Sequence, residues 1–255
     1  MATSITNTSV TTDNLTVDTN TIHVDSANNR VGIGTASPTQ DLTIVNSGDA
    51  RMELVSGTSG TSIIDMGDSA DKDIGGIRYL QSSDTLQFRA GNDVRMSIDA
   101  NGHITSSSQP SAQSRPAANI TNVTGDASTY YSQQGNSGTG TPTYTDIFDQ
   151  NLDMLNGTFT APVTGRYLAC INIEFQGVDT NHSSGVFYIN TSNRNYQRLF
   201  RPDDMSNVGT NCGLPMAQIV DADANDVIRW ALYIAGSGKT ITITTNTNFG
   251  VHLLS

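Results

Sequence analysis

Between Ile22 and Ile104 the apolar residues come in short alternating sets: Ile22/Val24, Leu42/Ile44, Met52/Leu54, Ile77/Tyr79, Leu86/Phe88/Ala90 and Val94/Met96/Ile98. A period of two places each set on one face of a strand. Asn28-Asn29, Gly32-Ile-Gly34, Gly75-Gly76, Gly91-Asn92 and Asn101-Gly102 fall between the sets. That spacing predicts a β-meander rather than βαβ units. Beyond Asn119 the alternation lengthens and aromatic residues become denser. Tyr167, Ala169, Ile171, Ile173 and Phe175 form one apolar face, with Asn172 and Glu174 on the other. Ile228/Trp230/Leu232/Ile234 and Phe249/Val251/Leu253 repeat the pattern. Strands are predicted at 129–134, 144–149, 157–160, 166–176, 185–190, 196–200, 213–220, 226–235, 239–245 and 248–254. Roughly eight to ten strands in this span is the size of a jelly roll.

The fold class is therefore all-β: an N-terminal trimeric β-rich stem followed by a C-terminal jelly-roll β-sandwich. Residues 1–20 are rich in Ser, Thr and Asn, with Ile5, Val10, Leu15 and Val17 too sparse for a core. Partner chains must help if they are ordered, so they are assigned to trimerisation. Residues 21–105 form the stem. Residues 106–125, with Ser-Ser-Ser, Gln-Pro-Ser and Arg-Pro in succession, are read as a linker, and residues 126–255 as the head. A weak internal echo joins Ile22–Val31 to Met96–Ile104: apolar strand, Asp, small turn, strand. Short strands with two or three apolar residues each do not offset backbone ordering of roughly 1 to 2 kcal/mol per residue. Threefold association supplies the missing burial, so a parallel homotrimer is expected.

Hydrophobic residues make up 36% of the 255-residue chain and charged residues 15%, so Thr, Ser, Asn and Gly dominate and disfavour long helices. The net charge of -11, without a basic run, argues against nucleic-acid binding. No apolar stretch approaches the roughly 20 residues of a membrane span, and the N-terminus lacks a signal-peptide pattern. Ordinary secretion and membrane insertion are therefore not expected. Cys170 and Cys212 fit no metal-ligand spacing. Buried free thiols or an intradomain bridge both remain open.

Catalytic patterns are missing. His23, His103, His182 and His252 are scattered, and no Gly-X-Ser-X-Gly, His-Glu-X-X-His or Walker loop occurs. Asp221-Ala-Asp-Ala-Asn-Asp226 resembles a calcium loop only superficially, since Asp226 stands where an EF-hand needs Gly and Leu232 where it needs Glu. Asp68, Asp71 and Asp73 suit a cation or a solvated turn. No enzyme activity, cofactor or metal is assigned. The candidate ligand-binding residues are His182, Tyr188, Arg194, Tyr196, Arg198 and Arg201, because arginine forks and tyrosine faces suit sugars and anionic polysaccharides. The competing reading is a solvent face with intersubunit salt bridges.

Two resemblances add to these readings. Gly157-Thr-Phe-Thr-Ala-Pro-Val-Thr-Gly-Arg-Tyr167, an acidic turn before a hydrophobic strand (Asp221 to Val227), and the terminal Asn248-Phe-Gly-Val-His-Leu-Leu254 resemble the trimeric jelly-roll heads of the complement-one-q and tumour-necrosis-factor superfamily. The resemblance implies that Phe159, Tyr167, Phe249 and Leu253 serve core and trimer packing, and Val251 shares their strand face. One departure is Ala-Asn-Asp where the family has a Gly before Asp. Asn29-Arg-Val-Gly-Ile-Gly-Thr-Ala-Ser-Pro38, Asp73-Ile-Gly-Gly-Ile-Arg-Tyr79 with Leu86-Gln-Phe-Arg89, and Arg95-Met-Ser-Ile-Asp-Ala-Asn-Gly102 look like stem modules of bacteriophage fibre proteins.

The expectation from both halves is a non-enzymatic, homotrimeric virion fibre protein assembled in the host cytoplasm. Its N-terminal segment would meet other virion proteins, and its head would attach to host-surface polysaccharide. The alternative is a capsid-decorating fibre or assembly protein without a receptor-binding role.

Overall fold

The computed structural model describes residues 14–17, 21–133, 143–205 and 211–254. Most of the proposed attachment segment 1–20 lies outside them. Among the described residues there is no α-helix, only a 3-10 turn at Pro202–Met205.

The stem holds two small sheets. In the first, β1 (Asn14–Val17), β2 (Ile22–Asp25) and β3 (Arg30–Ile33) are antiparallel, and β4 (Leu42–Ile44) pairs β3 in parallel. The parallel pair departs from the predicted meander. Val31 donates its amide to Asp41 and Val45 to Ile33, so the 34–41 loop carries the chain back to re-enter in the same direction. The Met52/Leu54 pair forms no strand and both side chains are exposed, since two apolar residues without neighbours on either side gain nothing from ordering.

The second stem sheet is an antiparallel meander of β5 (Thr61–Met66), β6 (Gly75–Leu80), β7 (Thr85–Ala90), β8 (Asp93–Ile98) and β9 (Ile104–Thr105). Gly91 and Asn92 both take positive φ, 61° and 67°, as a two-residue type I′ hairpin requires. The two echoing segments are both hairpins closed by an aspartate: Asp25 accepts from the Asn28 amide, and Asp99 from the amides of Asn101 and His103. Register puts Ile64, Ile77, Phe88 and Met96 in one row and Tyr79, Leu86, Ile98 and Ile104 in the next. The opposite face carries Ile63, Arg78, Gln87, Ser97 and Thr105. One face is thus apolar, and among the described residues no further layer covers it: their buried core cluster contains no residue before Ala112.

The head is a two-layer sandwich. Its strands are β10 (Ser111–Pro116), β11 (Thr129–Tyr131), β12 (Tyr144–Asp149), β13 (Met154–Leu155), β14 (Thr158–Thr160), β15 (Gly165–Gln176), β16 (Ser184–Asn190), β17 (Asn195–Phe200), β18 (Cys212–Ala222), β19 (Val227–Ala235), β20 (Thr242–Ile243) and β21 (Asn248–Leu253). One sheet runs β12-β10-β21-β15-β18, with β20 on β15; the other runs β13-β14-β19-β16-β17, with β11 on β19. After β14 the chain alternates between the layers, β15 to the first, β16–β17 to the second, β18 to the first, β19 to the second and β21 to the first. That crossing pattern is a jelly roll.

The core forms because period-two strands from both sheets turn their apolar residues inward. Phe159, Tyr167, Phe175, Phe187, Trp230 and Phe249 are buried, each worth about 1.5 to 3 kcal/mol relative to exposure. Phe159 and Tyr167 meet at 5.6 Å between ring centroids, and the Tyr167 hydroxyl donates to the Val163 carbonyl at 2.6 Å. In the segment read as a linker, β10 lies inside the first sheet between β12 and β21. Its inward residues are Ala112, Ser114 and Pro116, small and interrupted by a polar serine, so the strand carries no run of large apolar residues. Asn156 and Gly157 close the β13–β14 hairpin with φ of 50° and 71°, and a Cβ on Gly157 would stand 2.6 Å from the Tyr144 ring.

Candidate functional site

The six candidate ligand residues all fall on or beside the β16–β17 hairpin, but the fold separates them. His182 is fully buried: Nδ1 accepts the Asp179 amide at 2.9 Å, the Asp179 carboxylate lies 3.2 Å away, and Nε2 abuts Gly125 without a hydrogen-bond partner. It orders the 177–184 loop and cannot meet a surface ligand. Tyr196 shares a register position with Ile189 and packs on the core from the edge strand. Tyr188 stands on the solvent face of the second sheet.

The three arginines lie apart. Arg194 and Arg201 are separated by seven positions along an extended chain, roughly 20 Å. Arg194 reaches Asp221 at 3.5 Å, and Arg201 reaches Asp203 at 3.6 Å. Arg198 donates to the Pro215 carbonyl at 3.0 Å, tying β17 to β18 across the open edge between the sheets. A continuous arginine surface is not formed.

What the fold does assemble is a cleft of about 450 Å³ at one end of the sandwich, where Arg166 and Arg194 converge on Asp221, at 3.3 Å and 3.5 Å. Across it, Asp226 accepts from Asn193 at 2.9 Å and from the Asp223 amide at 3.0 Å. Asn225 takes φ of 74° in this turn, a left-handed conformation that Asn tolerates, and so performs the role of a glycine. The acidic turn thus holds itself and two arginines with its own carboxylates. Sequence reasoning named Arg194 with the hairpin residues rather than with Asp221, and missed Arg166, which lies 28 positions earlier on a strand whose visible signal is its core face.

Asp68 and Asp71 are occupied in the same way. Asp68 accepts from the amides of Ala70 and Asp71, which hold its carboxyl below the usual range; Asp71 accepts from Asn92, and Asp73 pairs with Arg78 and Arg89. Among the described residues no group of three or more His, Cys, Asp or Glu is placed to hold a metal ion.

Both cysteines are free; Cys170 is exposed on the outer face of β15 and Cys212 is buried facing inward. Burial of both as unreactive core thiols is therefore corrected for Cys170. The two point to opposite sides of one sheet, which also precludes an intrachain bridge. Phe159, Tyr167, Phe249 and Val251 face the protomer core, and Leu253 packs half-buried against it. The fold shows their core packing, and the outward positions of the last strand are Gly250 and His252.

No protein-family model matches the sequence, and no curated protein matches it. Among solved structures, the globular domain of zebrafish complement 1qA protein is similar at 13% identity over 58% of this chain and 98% of its own, with a TM-score of 0.39. Murine APRIL at pH 5.0 gives 11% identity over 57% and 99%, with a TM-score of 0.38. The Eiger TNF of S. frugiperda gives 13% over 58% and 94%, with a TM-score of 0.39. At these values the assignment of the jelly roll rests on the strand order described above.

Proposed function

We propose that this chain is a non-enzymatic bacteriophage virion fibre protein, a parallel homotrimer whose stem holds a jelly-roll head away from the particle so that the head attaches to the host surface. The observation that carries the trimer is the stem sheet β5–β9, one layer thick with an unpaired apolar face of eight residues from Ile64 to Ile104. Such a face is stable in water only when covered, and three copies turned toward a common axis cover one another while enclosing strand edges. The viral assignment is supported by the stem words around Arg30, Ile77 and Met96, whose hairpins recur along the stem. Attachment through three equivalent heads works by avidity, which multiplies weak contacts without strengthening any one of them.

The test has two parts. Light scattering on the purified chain should give three times its 27.1 kDa mass; a monomeric mass rejects the fibre architecture. Averaged images of labelled particles should place the head at a tail tip, and a capsid location would instead favour a decorating fibre.

A further inference from the structure

We propose that the solvent face of the second head sheet, centred on Tyr131, Tyr188, Tyr233 and Arg229, is a glycan platform that stacks pyranose rings on its tyrosines. The proposal rests on the host-attachment reading for its biological role but not for its chemistry. Register assembles the face: Tyr131 pairs with Ala231 and Ala231 with Tyr188, while Tyr233 pairs with Thr129 and Val186 in the adjacent row. Tyr131 and Tyr188 therefore flank Ala231 at two strand spacings, roughly 10 Å. Ala231 is on the outer face yet fully buried, so the rings around it close into one continuous surface. Burial and the neighbouring Tyr131 and Tyr233 raise the pKa of the Tyr188 hydroxyl, which stays a neutral donor and acceptor at working pH.

The rim supplies the polar half of a sugar site. The Arg229 guanidinium lies 4.5 Å over the Tyr131 ring, which fixes its plane. Beside it is a depression of about 290 Å³ lined by Gln133, Thr191, Ser192, Val227 and Arg229, a set of hydroxyl, amide and guanidinium groups suited to vicinal hydroxyls. Gln197, opposite Tyr188, adds a planar amide at the other side.

Charge distinguishes this face from the rest of the molecule. The chain carries 24 acidic residues against 13 basic ones, but no Asp or Glu occupies an outward position on β11, β14, β16, β17 or β19 among the described residues. The face is aromatic, uncharged but for Arg229, and polar at its edges. A nucleic acid would need many cations to neutralise its phosphates. A pyranose chain needs none: its C–H faces stack on rings and its hydroxyls bond amides.

The experiment uses the full chain on a printed array of bacterial polysaccharides, neutral and uronate-containing, followed by calorimetric titration of the best-bound polymer. The expected result is binding to at least one pyranose polymer, weakened about tenfold by Tyr188→Ala or Tyr233→Ala and changed less than about threefold by Tyr188→Phe, which keeps the ring. Gln197→Ala, at an exposed position that leaves folding intact, should weaken it about threefold. Arg51→Ala, exposed in the stem and paired only with Asp49, should leave it unchanged. No binding to any polymer by the folded wild type overturns the proposal, as do alanine variants of native melting temperature that bind as tightly as wild type. Adsorption to host cells separates the two readings. Adsorption that survives Tyr188→Ala/Tyr233→Ala rejects this site and keeps attachment, whereas glycan binding without adsorption of the wild type keeps the site and rejects attachment.

Discussion

Replacing Ile77 and Phe88 by serine tests whether the stem's apolar face is the contact between copies. The two residues are directly opposed across β6 and β7, and each is half-buried in the single chain. Full burial of such a side chain contributes about 1.5 to 3 kcal/mol, so each has about 1 kcal/mol still to gain on association. Over two residues in three chains the double variant loses about 6 kcal/mol per trimer, a shift of about four decades in the trimerisation constant. The head core contains neither residue, so its melting should be unaffected. Sedimentation velocity across a dilution series reads the dissociation, and circular dichroism reads the head. A double variant that dissociates at the same concentration as the wild type, with its head folded, refutes the reasoning and places the contact elsewhere.

Tyr167→Phe removes the hydroxyl bonded to Val163 and should lower stability by about 1 kcal/mol, a fall of about 2 to 4 °C in the head's Tm; no change by calorimetry would mean the bond is not formed in solution. Gly125→Ala should destabilise by about 3 kcal/mol, because φ is 126° and the new Cβ would stand 2.1 Å from the Gly238 carbonyl and 2.8 Å from His182 Nε2. Denaturant titration showing a native-like midpoint would contradict that packing. Burial and the charge of Asp149 hold the Asp153 carboxyl above its ordinary pKa, so the folded state disfavours its ionised form. Stability from this group is present below the unfolded pKa and lost as pH rises through the folded one. Asp153→Asn should therefore stabilise the head at neutral pH, with the gain vanishing in acid; a gain that grows on acidification in a melting series would reverse the sign.

The long strands were legible because their signal is local. β15 and β19 alternate without interruption, and their predicted bounds differ from the observed ones by a single residue at one end. β10 was not legible, because a strand whose inward positions are Ala112, Ser114 and Pro116 announces no hydrophobic period and its sequence punctuates like a linker. The dispersal of the candidate residues on the β16–β17 hairpin was hidden for a different reason. Residues clustered in sequence are dispersed by an extended backbone, which alternates their sides and spaces them by about 3.3 Å each. Conversely, Tyr131 and Arg229 meet from strands 98 positions apart, and pairing of that range leaves no trace in a linear pattern.

The placement of β10 also decides how the molecule bears load. The stem enters the head through a strand flanked along its length by β12 and β21, and further clasped where Gln109 donates to the Leu253 carbonyl and Leu253 to that of Pro110. Tension drawn along the stem therefore pulls β10 lengthwise, against both ladders at once. A peripheral hairpin pulled sideways would unzip one bond at a time, but this geometry is loaded in shear. A force directed along β10 is in consequence resisted by two ladders rather than one.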